Sequence, residues 1–395
     1  MPTGGEKMVK KSDIVLSVLF ILFIFTFGIL FIVLPDSDFS ESENRMLSQA
    51  PKVTFQTVSD GSFEKSFENY LTDQFPFRDF WVRSNTAVSM YALLKHDING
   101  VYIGKEGYLF EKFENIDTKR MQNQIDALSR FSERFDVPVI FAVAPNSIAV
   151  FTDNLPAFAP AEKEYVSGSL SNQREYINQF YSSLPDSVRT VDLVSALENH
   201  KNEYIYYRTD HHWTTLGAYY AYRAICAELD AEPYSLDDYT ITPVSDSFYG
   251  TLFSKGNFPV SPDTITRFDL KIPLDYSVVS DGAEIASLYD ESYLSKKDKY
   301  SYFMSGNPAH LTVNTAANTG KTAVFIKDSY THCLLPFFLP YFDTIHMIDP
   351  RYISQNITEY VSALSPDCII VIYNAKTLSD DTNFIKLGYT PRNDS

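Results

Sequence analysis

Five short runs rich in apolar residues limit what this chain can become: Val137–Val143, Arg189–Leu193, Ala323–Ile326, Thr344–Ile348 and Cys368–Ile372. A continuous run of this length, such as Val137–Val143 ending in Ala144-Pro145-Asn146, is what a strand buried on both faces looks like. Helical spacing of apolar residues falls between and around the runs, at about 117–134, 171–184, 214–230, 330–340 and 354–364. Strands alternating with helices predict an α/β domain: a mostly parallel sheet with helices on both faces. Residues 232–320 break the rhythm. They are rich in Tyr, Ser, Asp and Thr in alternating patterns and predict an inserted β-rich segment.

Ahead of the domain, Lys7, Lys10 and Lys11 precede an apolar run from Ile14 to Leu34. At 1.5 Å rise per residue such a run spans the roughly 30 Å hydrocarbon layer as one helix. The lysines before it, against Asp36, Asp38, Glu41 and Glu43 after it, place the N-terminus in the cytoplasm. The exit Leu34-Pro35-Asp36 lacks the small residues of a cleavage site, so the segment reads as an uncleaved anchor. The expected order is a cytoplasmic tail 1–13, a transmembrane anchor 14–34, a stalk 35–60 and a domain 61–395 outside the cytoplasm, in a single-pass protein of the cell membrane. Helices are expected from Ser62 to Leu71 and, after the break at Pro76, from Arg78 to Leu94. Val101–Ile103 and Tyr108–Phe110, with Gly104 and Gly107 between them, read as a hairpin.

The net charge of −17 argues against nucleic acid as a partner, since phosphate would be repelled. The 27 Tyr and 30 Phe suit a large core, and rings on loops suit stacking against sugars. Cys226, Cys333 and Cys368 are scattered and odd in number, so neither a disulfide framework nor a zinc spacing follows. Cys333 reads as a buried structural thiol.

The densest group of reactive side chains is Asp210-His211-His212-Trp213, followed by Thr214-Thr215-Leu216-Gly217. In an extended segment, residues two apart share a face. Asp210 then reaches the His212 ring while His211 points the other way. A carboxylate on one imidazole nitrogen fixes the tautomer and leaves the other nitrogen free as a base. The plain alternative is a polar strand end whose histidines bond locally. A metal site on His211 and His212 is a further alternative, but no second His/Asp/Glu group or Cys pair completes a coordination shell. No metal and no cofactor are expected. Trp213 is expected to pack against the His212 ring, and Thr214 to cap the following helix.

A nucleophile is offered by Ala323-Val324-Phe325-Ile326-Lys327-Asp328-Ser329-Tyr330, a strand running into a polar turn. Ligands of open α/β sheets bind at the carboxyl ends of strands. A serine there, at a helix start, has backbone N–H groups beside it to stabilise an oxyanion. The commonest job of serine in that position is a helix cap. Asp210, His212 and Ser329 together are the three parts acyl transfer needs.

Asp210–Trp213 and Ile326-Lys327-Asp328-Ser329-Tyr330, with Asp73–Asp79, Gly104–Phe110 and Tyr249-Gly250-Thr251-Leu252, resemble the DHHW protein family and the wider group of SGNH-hydrolase-like alginate O-acetyltransferases. The resemblance covers most of the chain after the anchor. It implies an SGNH-hydrolase-like (flavodoxin-like) fold and a Ser-His-Asp triad that moves acetyl groups on a polysaccharide. The acid and base match at Asp210 and His212 and the nucleophile at Ser329. The chain order is acid, base, nucleophile, the reverse of the usual SGNH hydrolases. Lys327 stands where that family has a glycine. Candidates for the oxyanion or substrate contacts are Gly306, Asn307, Asn146, Trp213 and Tyr330. The resemblance also implies a membrane-bound O-acyltransferase as acetyl donor. The expected activity is O-acetyl transfer to, or removal from, a cell-envelope or secreted glycan. The alternative is a non-catalytic glycan-binding or scaffold subunit of an envelope assembly.

Overall fold

The computed structural model describes residues 11–157, 159 and 172–389; Lys7 and Lys10 lie outside them. The chain divides into two compact units that meet between Val88 and Ser89.

The first unit begins with the helix Lys11–Val33 (α1), none of whose residues is buried. It is the one helix among the described residues long and apolar enough to cross a membrane. After it come a two-residue hairpin, Phe39–Ser40 with Arg45–Met46, and a short helix, Phe55–Ser59. The helices Ser62–Asp73 (α2) and Arg78–Tyr91 (α3) follow. Asp73 gathers this unit: it accepts from Arg45 Nη2 at 2.5 Å and from the Ser48 amide at 2.9 Å. The Arg45 guanidinium beside it holds the carboxyl well below the usual carboxylate range.

The second unit is built on an eight-stranded sheet. Its strands are Val139–Ala144 (β1), Val188–Val191 (β2), Tyr276–Ser280 (β3), Ala283–Ile285 (β4), His310–Thr315 (β5), Thr322–Lys327 (β6), Thr344–Ile348 (β7) and Cys368–Asn374 (β8). The order across the sheet is β4-β3-β5-β7-β6-β8-β1-β2. The pairs β7/β6, β6/β8, β8/β1 and β1/β2 are parallel; β4/β3, β3/β5 and β5/β7 are antiparallel. Every residue of β1 and of β8 is buried, which is why these strands read as unbroken apolar runs. The helices Thr118–Ser132 (α4), Gln173–Ser182 (α5), Thr215–Glu228 (α6) and Ile357–Ala363 (α7) pack around the sheet. Two apolar clusters, on Ile140, Ala142 and Phe325 and on Phe141, Val143 and Val324, show alternate residues of one strand feeding opposite faces.

One expectation is corrected. Residues 330–340 form two 3-10 turns, Ser329–Thr331 and Leu335–Tyr341. Pro336 and Pro340 remove backbone donors and crowd the preceding turn, so no α-helix is completed. The β-rich segment expected at 232–320 is present and divides between two places. Tyr239–Phe248 and Asp263–Leu270 pair as a separate antiparallel ribbon, whereas β3, β4 and β5 extend the main sheet.

Candidate active site

The site lies at the carboxyl ends of the parallel strands, where β6 hands the chain to Ser329, β1 to Asn146 and β8 to Asn374. Tyr206 and Trp213 pair as an isolated antiparallel bridge, and residues 208–212 make a bent loop between them. That loop is held from below by Asp263, which accepts from the Arg208 amide at 2.8 Å and the Thr209 amide at 2.7 Å.

Within the loop Asp210 is saturated. One carboxylate oxygen accepts from the His212 amide at 3.0 Å and from His212 Nδ1 at 2.5 Å. The other accepts from the Thr251 amide at 2.7 Å and from Thr251 Oγ1 at 3.0 Å. A carboxylate only accepts, so the shared proton belongs to Nδ1 and Nε2 offers a lone pair. His212 Nε2 lies 2.7 Å from Ser329 Oγ. Asp210, His212 and Ser329 are therefore joined in one line of hydrogen bonds across 117 residues of sequence separation.

Burial alone would raise the Asp210 pKa, but the adjacent imidazoles and the Thr251 amide outweigh it and hold the group ionised. Burial and the neighbouring His211 push His212 down to about 4 against the pull of Asp210. The ring is thus neutral near pH 7, as a base must be.

His211 does not point away from its neighbour. The bend at 210–212, pinned by the Asp210 side chain on the His212 amide, replaces the extended backbone that the two-residue period requires. The His211 ring lies 3.9 Å from that of His212 and its Nδ1 is 2.6 Å from Thr251 Oγ1. Donor atoms of Asp210, His211 and His212 lie within 4.8 Å of one another. Among the described residues, both carboxylate oxygens, both His212 nitrogens and His211 Nδ1 are engaged by protein groups.

Ser329 is not the cap of its turn. Asp328 is, with its side chain accepting from the Tyr330 amide at 2.9 Å. Its other oxygen accepts from Asn374 N at 2.7 Å and Nδ2 at 2.6 Å. That frees Ser329 Oγ for His212. The turn spans three residues, too few for an appreciable helix dipole.

Trp213 and Tyr330 tie the two halves together. The Trp213 indole N–H donates to the Tyr330 carbonyl at 2.9 Å, and the Tyr330 hydroxyl donates to the His211 carbonyl. The ring stacked on His212 is Tyr300, at 3.8 Å and 14°, not Trp213. Its hydroxyl reaches the Ser329 carbonyl at 3.2 Å and Cys333 Sγ at 3.4 Å. Burial pushes the Cys333 thiol up to about 12, so it is inert near neutral pH.

Of the remaining candidates, Asn146 and Asn307 bond other protein groups. The Asn146 amide donates to Tyr330 Oη at 2.8 Å, and its oxygen accepts from Gln173 at 3.0 Å and the Lys376 amide at 3.1 Å. Gly306 takes a φ of +112°, a turn conformation suited to glycine. Asn307 bonds Lys327 at 3.2 Å and Tyr352 at 3.0 Å. Lys327 turns away from Ser329 into a buried cluster, donating to Asn307, His332 Nε2 at 3.1 Å and Asp349 at 3.3 Å. Asp349 also pairs with Arg351 at 2.6 Å.

Sequence reasoning missed Tyr300, which no local pattern marks. It also left Gly250 and Thr251 without a role, although their tetrapeptide was among the resembling stretches.

The DHHW protein family model matches residues 161–348. The chain carries a DHHW-family segment. A DHHW family protein from Eubacterium siraeum, solved by crystallography, is 24% identical with a TM-score of 0.62, covering 75% of this chain and 98% of that one. PatB1 of Bacillus cereus, solved with a sulfonyl adduct, is 17% identical with a TM-score of 0.62, covering 74% and 100%. These two likenesses bear on the fold, which is the SGNH-like α/β architecture. The probable alginate O-acetylase AlgJ of Pseudomonas syringae pv. tomato is 24% identical over 172 residues, 41% of each chain. The match thus spans about two fifths of that curated relative's length.

Proposed function

We propose that this chain is a serine-dependent O-acetyltransferase or acetylesterase acting on a cell-envelope or secreted polysaccharide. The observation that carries the reading is the hydrogen-bonded line from Asp210 through His212 to Ser329. His212 Nε2 takes the Ser329 proton as Oγ bonds to the acetyl carbonyl carbon. The resulting imidazolium is stabilised by Asp210. The Ser329 N–H, for which no backbone acceptor is found among the described residues, is the proposed donor to the developing oxyanion. Collapse expels the donor's oxygen, which takes the proton back from His212, and leaves acetyl on Ser329. A sugar hydroxyl then repeats the sequence in reverse and departs acetylated; water in its place makes the site an esterase.

The name of the AlgJ relative supports acetyl transfer and a polysaccharide acceptor. The apolar helix α1, with acidic residues after it, supports an anchor whose C-terminal side faces outward. A membrane-bound O-acyltransferase is the proposed acetyl donor.

The test is incubation of the purified chain with 4-nitrophenyl acetate, followed by intact-mass and peptide analysis. One acetyl group on Ser329, discharged faster by envelope oligosaccharides than by water, is the expected result. No acetyl on Ser329, with turnover unchanged in Ser329→Ala, rejects the reading.

A further inference from the structure

In the C-terminal half of α1, two of its rings are in contact with another part of the same unit. Phe27 stacks on Phe75 at 5.5 Å with the planes 2° apart. Trp81 sits edge-on to Phe23 at 6.1 Å and to Phe27 at 5.7 Å. Nearer the end of α1, Phe31 meets the edge of Tyr70 at 5.5 Å. Phe75 and Trp81 belong to the elbow between α2 and α3.

Above these ring contacts runs a polar line. Gln74 pairs with the Ser37 backbone in both directions at 2.9 Å, and the Tyr70 hydroxyl donates to Asp36 at 3.2 Å. Ser37 and Asp36 are the first polar residues beyond α1. Between α1 and the elbow, below that line, the ring contacts named are apolar.

Depth follows from helix geometry. At 1.5 Å per residue, Phe27 lies about 9 Å and Phe23 about 15 Å inside the Val33 end of α1. The hydrocarbon layer is roughly 30 Å thick, so a group packed on those rings lies at lipid depth whenever α1 spans a bilayer.

The elbow is built for that setting. Phe77 and Phe80 are each 62% exposed, an expensive arrangement in water. Phe77 also has a φ of +59°, which a bulky side chain adopts at a cost of about 1–3 kcal/mol. Arg78 is tied back to Glu43 at 2.5 Å and Asp73 at 3.6 Å, so its charge is paired. Asp79 and Arg83, four residues apart on the side of α3 opposite Trp81, must reach the headgroup layer and set the depth.

We propose that the elbow from Phe75 to Trp81 is a second membrane contact, inserting its rings into the half-bilayer through which α1 exits. The unit then holds the membrane by a spanning helix and an interfacial aromatic wedge, the ring types that favour that boundary.

The chain has two tryptophans, Trp81 and Trp213, which permits a direct reading. Full-length protein is reconstituted in phosphatidylcholine vesicles with brominated acyl chains, and the emission of Trp81→Phe is subtracted from that of the wild type. The Trp81 component is expected to be blue-shifted, to lose most of its intensity to the bromolipid and to resist aqueous iodide. A component quenched by iodide, or untouched by bromolipid, overturns the proposal. Phe80→Trp on the Trp81→Phe background repeats the measurement from an adjacent ring and guards against a defect in one variant. Protein that does not float with the vesicles also overturns it. Catalysis through Ser329 is read separately, so failure here leaves the proposed activity standing.

Discussion

Gly250→Ala isolates the orientation of Asp210 from every other property of the site. Gly250 has φ −84° and ψ −164°, a backbone conformation alanine adopts freely. Its effect therefore comes from the added carbon alone. That Cβ would stand 2.2 Å from Asp210 Cβ, 2.3 Å from Oδ2 and 2.5 Å from Cγ. Carbon contacts are comfortable at about 3.5–4.0 Å, so the carboxylate or the 250 loop must yield by roughly 1 Å. The oxygen displaced first is the one that accepts from Thr251 N and Oγ1. A misplacement of that size in a catalytic group costs on the order of 10²-fold in rate, and overpacking costs about 1–3 kcal/mol of stability. The assay pairs initial rates on 4-nitrophenyl acetate with the rate of sulfonylation by phenylmethylsulfonyl fluoride, and urea unfolding reports the fold. The expected result is a cooperative unfolding transition shifted by no more than that cost, with both rates reduced by about two orders of magnitude. Thr251→Val, which keeps the backbone donor and removes only the hydroxyl, is expected to lose about tenfold. Wild-type rates in a folded Gly250→Ala protein would refute the role given to Asp210.

Because burial and His211 hold His212 near 4, the labelling rate should stay level from neutral pH to about 5 and fall only as pH drops through about 4; an inflection near the ordinary histidine value would contradict this. The same shift makes the unfolded state bind more protons than the folded one below the usual histidine pKa. Stability should therefore decline as pH falls from 6.5 towards 4, a window that urea titrations can follow. Trp213→Phe leaves the Tyr330 carbonyl without its buried donor and should cost about 1–3 kcal/mol in chemical denaturation. Asp349→Ala strands the fully buried Lys327 ammonium. It should cost about 3–5 kcal/mol, while Lys327→Met with Asp349→Leu recovers much of the loss. Tyr300→Phe keeps the ring on His212 and should retain activity within about tenfold, whereas Tyr300→Ala should lose more, as read by kcat at unchanged KM.

What was legible in the sequence follows from what each element reports locally. Strands buried on both faces write themselves as apolar runs, so Thr344–Ile348 matches β7 residue for residue, and Cys368 opens β8. The meeting of Asp210, His212 and Ser329 was legible because Asp-His-His-Trp and Lys-Asp-Ser-Tyr are short, dense motifs. The orientation of His211 was not, because a period of two holds only for extended backbone and the Asp210 side chain bends the loop by accepting from the amide of His212, two residues on. The 330–340 segment looked helical from its apolar residues, yet Pro336 and Pro340 decide its geometry. Tyr300 was invisible for a different reason. Its contact with His212 is made by the tertiary fold, and one tyrosine among 27 carries no local mark.

The proposed chemistry requires His212 to activate Ser329. The most direct measurement treats the full chain with phenylmethylsulfonyl fluoride at neutral pH and maps the adduct by mass spectrometry. One sulfonyl group is expected, on Ser329, absent from Ser329→Ala and strongly slowed in His212→Ala. An adduct elsewhere, or a Ser329 adduct that forms equally fast without His212, would contradict it.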